Sequence, residues 1–544
     1  MLQNFGEYMI TSIVNYSQKH PYISLVITLI GIFFYQSLNL FWGFELADSG
    51  FHLTAFENVF DAPDSVSYNF SYYLTNVIGG AFMKFFPGLG VLGFRVVGVL
   101  FINISLTLIF LCLKNELPVI HILIGAALVV LCNVPSQHSF NNGICSCFFY
   151  VCFSLLIYKG IIRNSVFLVF LGGILVGVNI FTRIPNVLAV GLIVVVLFHK
   201  WITERKCFLC WNAAFMFFAG VVSGIICMFL LIHALGHEIA FRESIVGLLT
   251  ERPSSYHSHS LFILMMAQFY TYFCAIVYAT SFFAVFYVNE KLINHFWVRI
   301  LFITISAFVI FYHVYLNYAF NPLWALCFVG CLICLNKGGG LALLGSLAFY
   351  MLIVEILGSD SAYNHGSLPA MLAAPISSYV IINRKNLIFI LITGLAIVVK
   401  VIKQGNYFDY GPLTEKRYAI NAVESSHIWT TKERADIVNK SLPQIRFYVH
   451  PQDTLLVYGA APMLNYLTHT RPAGGVCWPG PDGFFVKPFV SPPKMLIQKK
   501  PMFINQTSSK LGFETCSSYI NDYMREHPYR VVFENEYYIL LLPE

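Results

Sequence analysis

Charge is what this sequence has least of. Among 544 residues there are 33 Lys and Arg and 27 Asp and Glu, so 11% are charged, where soluble domains carry about 25%. That excludes a water-solvated globule for most of the chain. The basic residues fall in short clusters rather than one stripe, so the net charge of +6 does not mark a nucleic-acid face. Repeats and low-complexity tracts are missing as well. No strand precedes Gly88-x-Gly90-x-x-Gly93, which excludes a dinucleotide site despite the matching spacing. No small-residue cleavage site follows the first apolar run, Tyr22 to Leu40. That run is too long for a signal-peptide core and reads as a retained anchor.

Cysteine is present, 14 in all, but nearly always inside apolar runs, as at Cys112, Cys132, Cys152, Cys274 and Cys327, where it packs as a small hydrophobe. Cys207-x-x-Cys210 and Cys331-x-x-Cys334 have no second ligand pair nearby, which favours packing over metal or redox chemistry. Cys477 and Cys516 lie in the polar tail and could pair in an oxidising compartment.

What is abundant is apolar sequence, 57% of the chain with mean hydropathy +0.69. Runs of membrane-spanning length stand near 22–41, 90–113, 118–134, 144–158, 166–182, 185–198, 208–232, 262–288, 298–313, 323–335, 340–357, 369–382 and 387–402, about thirteen spans. The loops alternate. One set carries Lys19, Lys114, Lys159 with Arg163, Lys200 with Arg205 and Lys206, Lys291 with Arg299, Lys337, and Arg384 with Lys385. Base near span ends marks the cytoplasmic side. The N-terminus is then inside, and loops 42–87, 135–143, 233–261, 314–322 and 358–368 are outside. With an odd span count, so is everything past residue 403.

The fold class expected is a polytopic α-helical membrane protein, residues 1–402, with an extracytoplasmic α/β domain over 403–544. In that tail, Thr430-Thr431-Lys432-Glu433 is a capping box opening a helix toward Phe447. Asp453 to Gly459 reads as a buried strand ending in a glycine turn, Pro462 to Thr468 as a short helix, and Arg471 to Pro493 as a long Gly/Pro loop. Cys516 to His527 reads as a helix, followed by strands Arg530–Phe533 and Tyr537–Leu542.

The first outside loop, 42–87, carries the acids. Asp48 stands just beyond a span, where a carboxylate is costly without a partner or a task. It is either a catalytic acid or the N-cap of a helix over Ser49–Phe60, with Phe51 or Leu53, Phe56 and Phe60 on its apolar side. His52 shares its helical face, and the two could act as a general base and its orienter. Asp61 and Asp64 flank Pro63. They could hold a divalent cation, although a turn is the simpler reading, and no cofactor is otherwise implied. Arg95, inside the second span, either snorkels or pairs with an acid or phosphate. Arg183, in Phe181-Thr182-Arg183-Ile184-Pro185, sits where a long apolar stretch breaks and helix ends could meet an anion. His233, His237, Arg242, Arg252, His257 and His259 crowd one outside loop, and its cations suit a phosphate. Asp360, Asn364 and His365 suit a sugar or its acceptor.

These residues give the chain a resemblance to the GT-C glycosyltransferases that use polyprenyl-phosphate-linked sugars, the group containing protein O-mannosyltransferases and the lipid A aminoarabinose transferase. It is carried by Ala47-Asp48-Ser49-Gly50-Phe51-His52, by Gly93-Phe94-Arg95-Val96-Val97, by Gly172 through Pro185, and by Val457 through Thr468. The chain departs from the group at Asp48-Ser49, where many relatives have Asp-Glu, and at Asn141 and Asn142, where many have an acid. The resemblance implies inverting glycosyl transfer at the outer face of a bacterial cytoplasmic membrane. The donor is a sugar on a polyprenyl phosphate and the acceptor a lipid, glycan or protein. Asp48 is then the base, with Arg183, Arg252 and His257 on the departing phosphate. Competing classes are a glycolipid transporter or flippase, which the very apolar spans disfavour, and an envelope polysaccharide polymerase or ligase, which would place its catalytic loop late in the chain.

Overall fold

The computed structural model describes residues 12–133, 139–250, 297–298, 301–302, 304–306, 308, 322–354, 367–382, 387–406, 409–479, 487–499 and 518–544. Among them, Pro21–Leu40, Gly90–Leu113, Asn142–Ile162 and Trp211–Ala234 are long and apolar enough to cross a membrane. A hydrocarbon core of about 30 Å needs about 20 helical residues. Five shorter apolar helices accompany them: Val119–Asn133, Val166–Asn179, Ile184–Leu197, Leu323–Lys337 and Gly339–Val354. The chain is an integral membrane protein by these helices. The described residues do not reach about thirteen spans. Run 262–288 and most of 298–313 lie outside them. Run 369–382 holds a helix only over Ala373–Ile381, 9 residues, or about 14 Å of rise.

The first span shows how lipid replaces water as solvent. Ile23, Val26, Ile27, Ile30, Phe33 and Phe34 are exposed along one stripe, while Ser24, Gln36 and Asn39 are buried against neighbouring helices. The apolar face turns outward because hydrocarbon meets it.

Helices Val166–Asn179 and Trp211–Ala234 pack on paired glycines. A Cβ at Gly173 would strike the Phe217 carbonyl and one at Gly177 the Val221 carbonyl. Reciprocally, Gly220 faces the Phe170 carbonyl and Gly224 that of Ile174. Two small-xxx-small faces thus let the backbones touch, which is how helices associate where lipid removes the hydrophobic drive.

The polar tail folds on a five-stranded sheet in the order Arg471–Pro472, Thr454–Tyr458, Lys494–Gln498, Tyr538–Pro543, Tyr529–Glu534. The first three run parallel and the last two are antiparallel additions. Alternate residues serve opposite faces. Leu455, Val457, Leu496 and Leu540 join a core with Ala435, Val438, Leu442 and Ile445 of helix Lys432–Tyr448. Leu456, Met495, Ile497 and Leu541 join Ile520 of helix Ser518–Glu526. Thr431 caps the first of these helices by accepting from the Arg434 N–H, one residue beyond Thr430, which a box closing on Glu433 makes the N-cap. Gly459 ends the strand at φ +131°. The sequence reading has no strand at Lys494–Gln498, which is central.

The glycine contacts give a stability test. Gly173→Leu should lower the melting temperature of the purified protein markedly, since overpacking costs about 1–3 kcal/mol and more against rigid backbone. Gly31→Ala, with nothing within 4 Å, should leave it unchanged or slightly raised.

Candidate active site at the first outside loop

The first loop is folded along most of its length. Helix Asp48–Asn58, the 3-10 segment Pro63–Tyr72 and helix Tyr73–Phe85 follow one another. The helix expected after Asp48 is present, but it does not lie open on the membrane surface. Ser49, Leu53, Thr54, Ala55 and Phe56 are buried. Gly79 and Gly80 lie against Phe56 and Val59, and Gly50 lies against the Met463 backbone. The Met463 N–H donates to the Leu46 carbonyl over 3.0 Å, and Thr54 Oγ1 donates to the Pro462 carbonyl over 3.1 Å. The helix is enclosed between membrane helices and the sheet domain. Helix Tyr73–Phe85 was not legible because it is followed by an apolar tract and contains a Gly pair.

The N-terminus of helix Asp48–Asn58 is capped by Glu45. Both Glu45 carboxylate oxygens accept from the Ser49 N–H, at 3.0 and 2.9 Å, and one also accepts from the Ser49 hydroxyl. A buried carboxylate at a helix start satisfies orphan N–H groups and the positive end of the dipole. Asp48 is therefore the first helical residue, half-buried, and the N-cap position is Ala47. His52 is buried one turn on and stacks loosely on Phe51, Phe56 and Tyr72.

Two further charged residues hold this turn. Arg95 Nη1 donates to the carbonyls of Asn39 at 3.1 Å and Leu40 at 3.0 Å, and Nη2 to that of Gly43 at 2.7 Å. It thereby ties off the last carbonyls of the first span. The sequence left open snorkelling or pairing with an acid or phosphate, and the hydrogen bonds seen here go to backbone carbonyls. Asp409 accepts from the Phe44 N–H at 2.9 Å and the Thr430 hydroxyl at 3.0 Å. Lys416 Nζ lies 3.0 Å from its carboxylate and Arg434 Nε 3.8 Å. Burial pushes the Lys416 ammonium below its ordinary range, and Asp409 opposes that shift. Gly43 N–H donates to Trp429 O at 2.8 Å and Trp429 N–H to Phe41 O at 2.9 Å, so the loop is also stitched to the sheet domain by backbone.

Arg183 is the residue preceding the 3-10 segment Ile184–Gly191, at the break the sequence marked, and is half-buried. The break is docked on the same first loop. Leu74 N–H donates to Phe181 O at 2.7 Å and Thr75 Oγ1 to Thr182 O at 3.2 Å. Asn76 Nδ2 donates to Asn69 O at 2.6 Å, and Asn69 Nδ2 to Phe51 O at 3.4 Å. A chain of amides and hydroxyls thus links the Asp48 helix to the Arg183 break. Asn186 Nδ2 extends it to Ser146 Oγ at 2.7 Å.

The remaining candidates separate. Arg242 is exposed on helix Glu238–Thr250. His233 is exposed and lies 2.5 Å from Glu238, whereas His237 is buried against Phe60, Phe70 and Tyr73; burial holds its pKa below the ordinary value. Asp61 faces Lys84 at 2.8 Å and Asp64 faces Lys487 at 3.8 Å, so the two acids do not form one cation site. Asn141 caps helix Asn142–Ile162. Cys477 is a buried free thiol. Arg252, His257, His259, Asp360, Asn364, His365 and Cys516 lie outside the described residues.

A second link joins the far end of the helix to the sheet domain. His469 Nδ1 lies 2.5 Å from Glu57, and Nε2 lies 2.9 Å from Glu424, which also binds Arg446 at 3.1 Å. The hydrogen bonds with Glu424 and Glu57 push the imidazole up to about 10. Burial pushes Glu57 up against the pull of His469. Burial also acts to raise Glu424, but the hydrogen bond from His469 and the Arg446 charge outweigh it and hold that carboxyl below its ordinary value.

The architecture is that of a helical membrane protein with an α/β domain packed on its first loop. No protein-family model matches the sequence, and no curated protein matches it. Among solved structures it is similar to the Archaeoglobus fulgidus oligosaccharyltransferase complexed with Zn and sulfate, at TM-score 0.43 and 12% identity, covering 82% of this chain and 62% of that one. It is similar also to ArnT from Cupriavidus metallidurans in the apo state, at TM-score 0.46 and 12% identity over 95% and 97%. The same ArnT bound to undecaprenyl phosphate overlays at TM-score 0.43 with 12% identity over 95% and 97%. The chain spans less than two thirds of the oligosaccharyltransferase. Both proteins belong to the GT-C group that the sequence motifs resemble. Overlays this loose transfer no residue role to this chain.

The His469 link has a pH signature. Its folded pKa of about 10 stands above the ordinary 6.5, so its stabilisation is complete below pH 6.5, declines above that, and is gone past about pH 10. Between pH 7 and 10 the wild type should lose its stability advantage over His469→Gln, read as converging melting temperatures.

Proposed function

We propose that this chain is a membrane glycosyltransferase that moves a sugar from a polyprenyl-phosphate donor to an acceptor at the extracytoplasmic face, with Asp48 as general base. The observation that carries the reading is the placement of Asp48, a half-buried carboxylate on the first turn of its helix with His52 one turn later. The helix is held by Pro462 and Met463 of the sheet domain on one side and by Gly79, Gly80 and Phe94 on the other. A base must be fixed to within a fraction of an ångström to contribute its full effect, and this helix is fixed.

In the proposed reaction the acceptor hydroxyl or amine attacks the sugar's anomeric carbon. The bond from that carbon to the phosphate oxygen breaks, and the polyprenyl phosphate leaves with the electron pair. The acceptor proton passes to Asp48, while His52 orients the carboxylate. Arg183, held at a helix break hydrogen-bonded to the same loop, stabilises the departing phosphate. Arg242, Arg252, His257 and His259 supply further positive charge to the donor, and Asp360, Asn364 and His365 meet the sugar or acceptor. The alternation of basic loops supports an N-terminus in the cytoplasm and the site outside. The acceptor is a lipid, glycan or protein.

Asp48→Asn should cut turnover about 10²–10⁴-fold with binding of the polyprenyl-phosphate-sugar and the melting temperature nearly unchanged. Arg183→Ala should chiefly weaken donor binding. Near-normal turnover in Asp48→Asn would remove the base assignment, and loss of donor binding in that variant would move Asp48 to a binding role.

A further inference from the structure

We infer that the turn Ala422–Ser426 of the sheet domain is a membrane-contacting element that seats the domain on the bilayer through Val423. The inference concerns a lipid surface and stands apart from the glycosyltransferase reading.

Val423 is 84% exposed, while the next residue, Glu424, is only 14% exposed at its side chain. The turn is not loose. Ser425 N–H donates to Ala422 O at 3.0 Å and Ser426 N–H to Val423 O at 3.2 Å. Ala422 is buried, and the Glu424 carboxylate is turned inward onto His469 and Arg446. The backbone therefore presents Val423 outward because Glu424 is anchored inward.

What lies outward is set by Gly90. This residue opens the spanning helix Gly90–Leu113 at φ +57°, and a Cβ on it would come within 2.7 Å of the Glu424 carbonyl. The turn therefore sits at the level where the span leaves the membrane. Leu100, Ile104 and Leu111 are exposed along one stripe of that helix, facing lipid. At 100° per residue Gly90 lies roughly 60° from that stripe, on its flank, so the turn crowns the edge of a lipid-facing surface. Phe85 at 80% and Phe86 at 56% exposure precede the same span by a few residues in sequence. Exposed aromatic and aliphatic side chains at a span's entrance suit the boundary of headgroups and acyl chains, where such groups anchor. Continuity with the lipid-facing stripe selects the bilayer as occupant.

The test uses the full chain in lipid nanodiscs with the photo-crosslinker p-benzoylphenylalanine in place of Val423. Val531, 55% exposed on the edge strand Tyr529–Glu534, serves as the control position. The expected result is a phospholipid adduct at 423, by mass, at several times the yield at 531. Equal yields, or adducts to protein alone, would overturn the inference. If the crosslinker prevents folding, Val423→Trp in brominated-lipid nanodiscs gives the same reading. Its added emission should be quenched by lipid bromine, and added emission that bromine leaves untouched would overturn it.

Discussion

The structure depends on a small buried set of charges where the first span ends. Arg95 reaches back to the carbonyls of Asn39, Leu40 and Gly43. Asp409 receives the Phe44 N–H and faces Lys416 and Arg434. Glu45 takes the helix N-terminus. Three cations and two carboxylates come from the first loop, the second span and the sheet domain. Arg95, Asp409, Glu45 and Lys416 are hydrogen-bonded, and Arg434 stands 3.8 Å from Asp409, which is the condition under which buried charge is tolerated. The arrangement couples membrane helices to soluble domain at the residue next to the proposed base. Removing one member strands the others, at about 3–5 kcal/mol for a buried pair. A cluster of that kind specifies one docking geometry where apolar packing would allow several.

The consequence for chemistry is that Asp48 stands on a framework with little freedom. Its helix meets Pro462 and Met463 on one side and Phe56 packs beneath Gly79 on another. At its far end Glu57 meets His469. The Arg183 break is tied to the following helix through Leu74 and Thr75. Two motifs more than a hundred residues apart in sequence therefore share one support. The sequence segment Val457 to Thr468, part of the family resemblance, contains Pro462 and Met463, which touch the Asp48 helix.

Local signals were the legible part. The helix after Asp48, the helix start near Thr431, the Gly459 turn and the final two strands follow from capping chemistry, turn glycine and short β-prone runs, and these need only neighbours in sequence. Tertiary roles were not legible. Glu45 reads as one more acid until the helix start is fixed at Asp48, although an acid just before a helix was the available clue. Asp409 and Lys416 carry no local signal in sequence, because only folding brings the Phe44 N–H to Asp409. Arg95 carried a charge whose partner could not be inferred, and the partner is backbone. Gly172 through Gly177 was noticed as a motif, and its glycines serve helix contact. Of the apolar runs, the described residues hold four long and five shorter apolar helices, and hydropathy does not distinguish a spanning helix from a short buried one such as Ala373–Ile381.

The central claim is that the charges at the end of the first span hold the Asp48 helix in place. Hydrogen–deuterium exchange of Ser49 through Leu53 in the full chain, wild type against Asp409→Asn, tests it most directly. The amides should exchange about tenfold faster or more in the variant, while those of the paired helices Val166–Asn179 and Trp211–Ala234 stay as protected as before. Unchanged exchange over Ser49–Leu53 in a folded Asp409→Asn protein would contradict the claim.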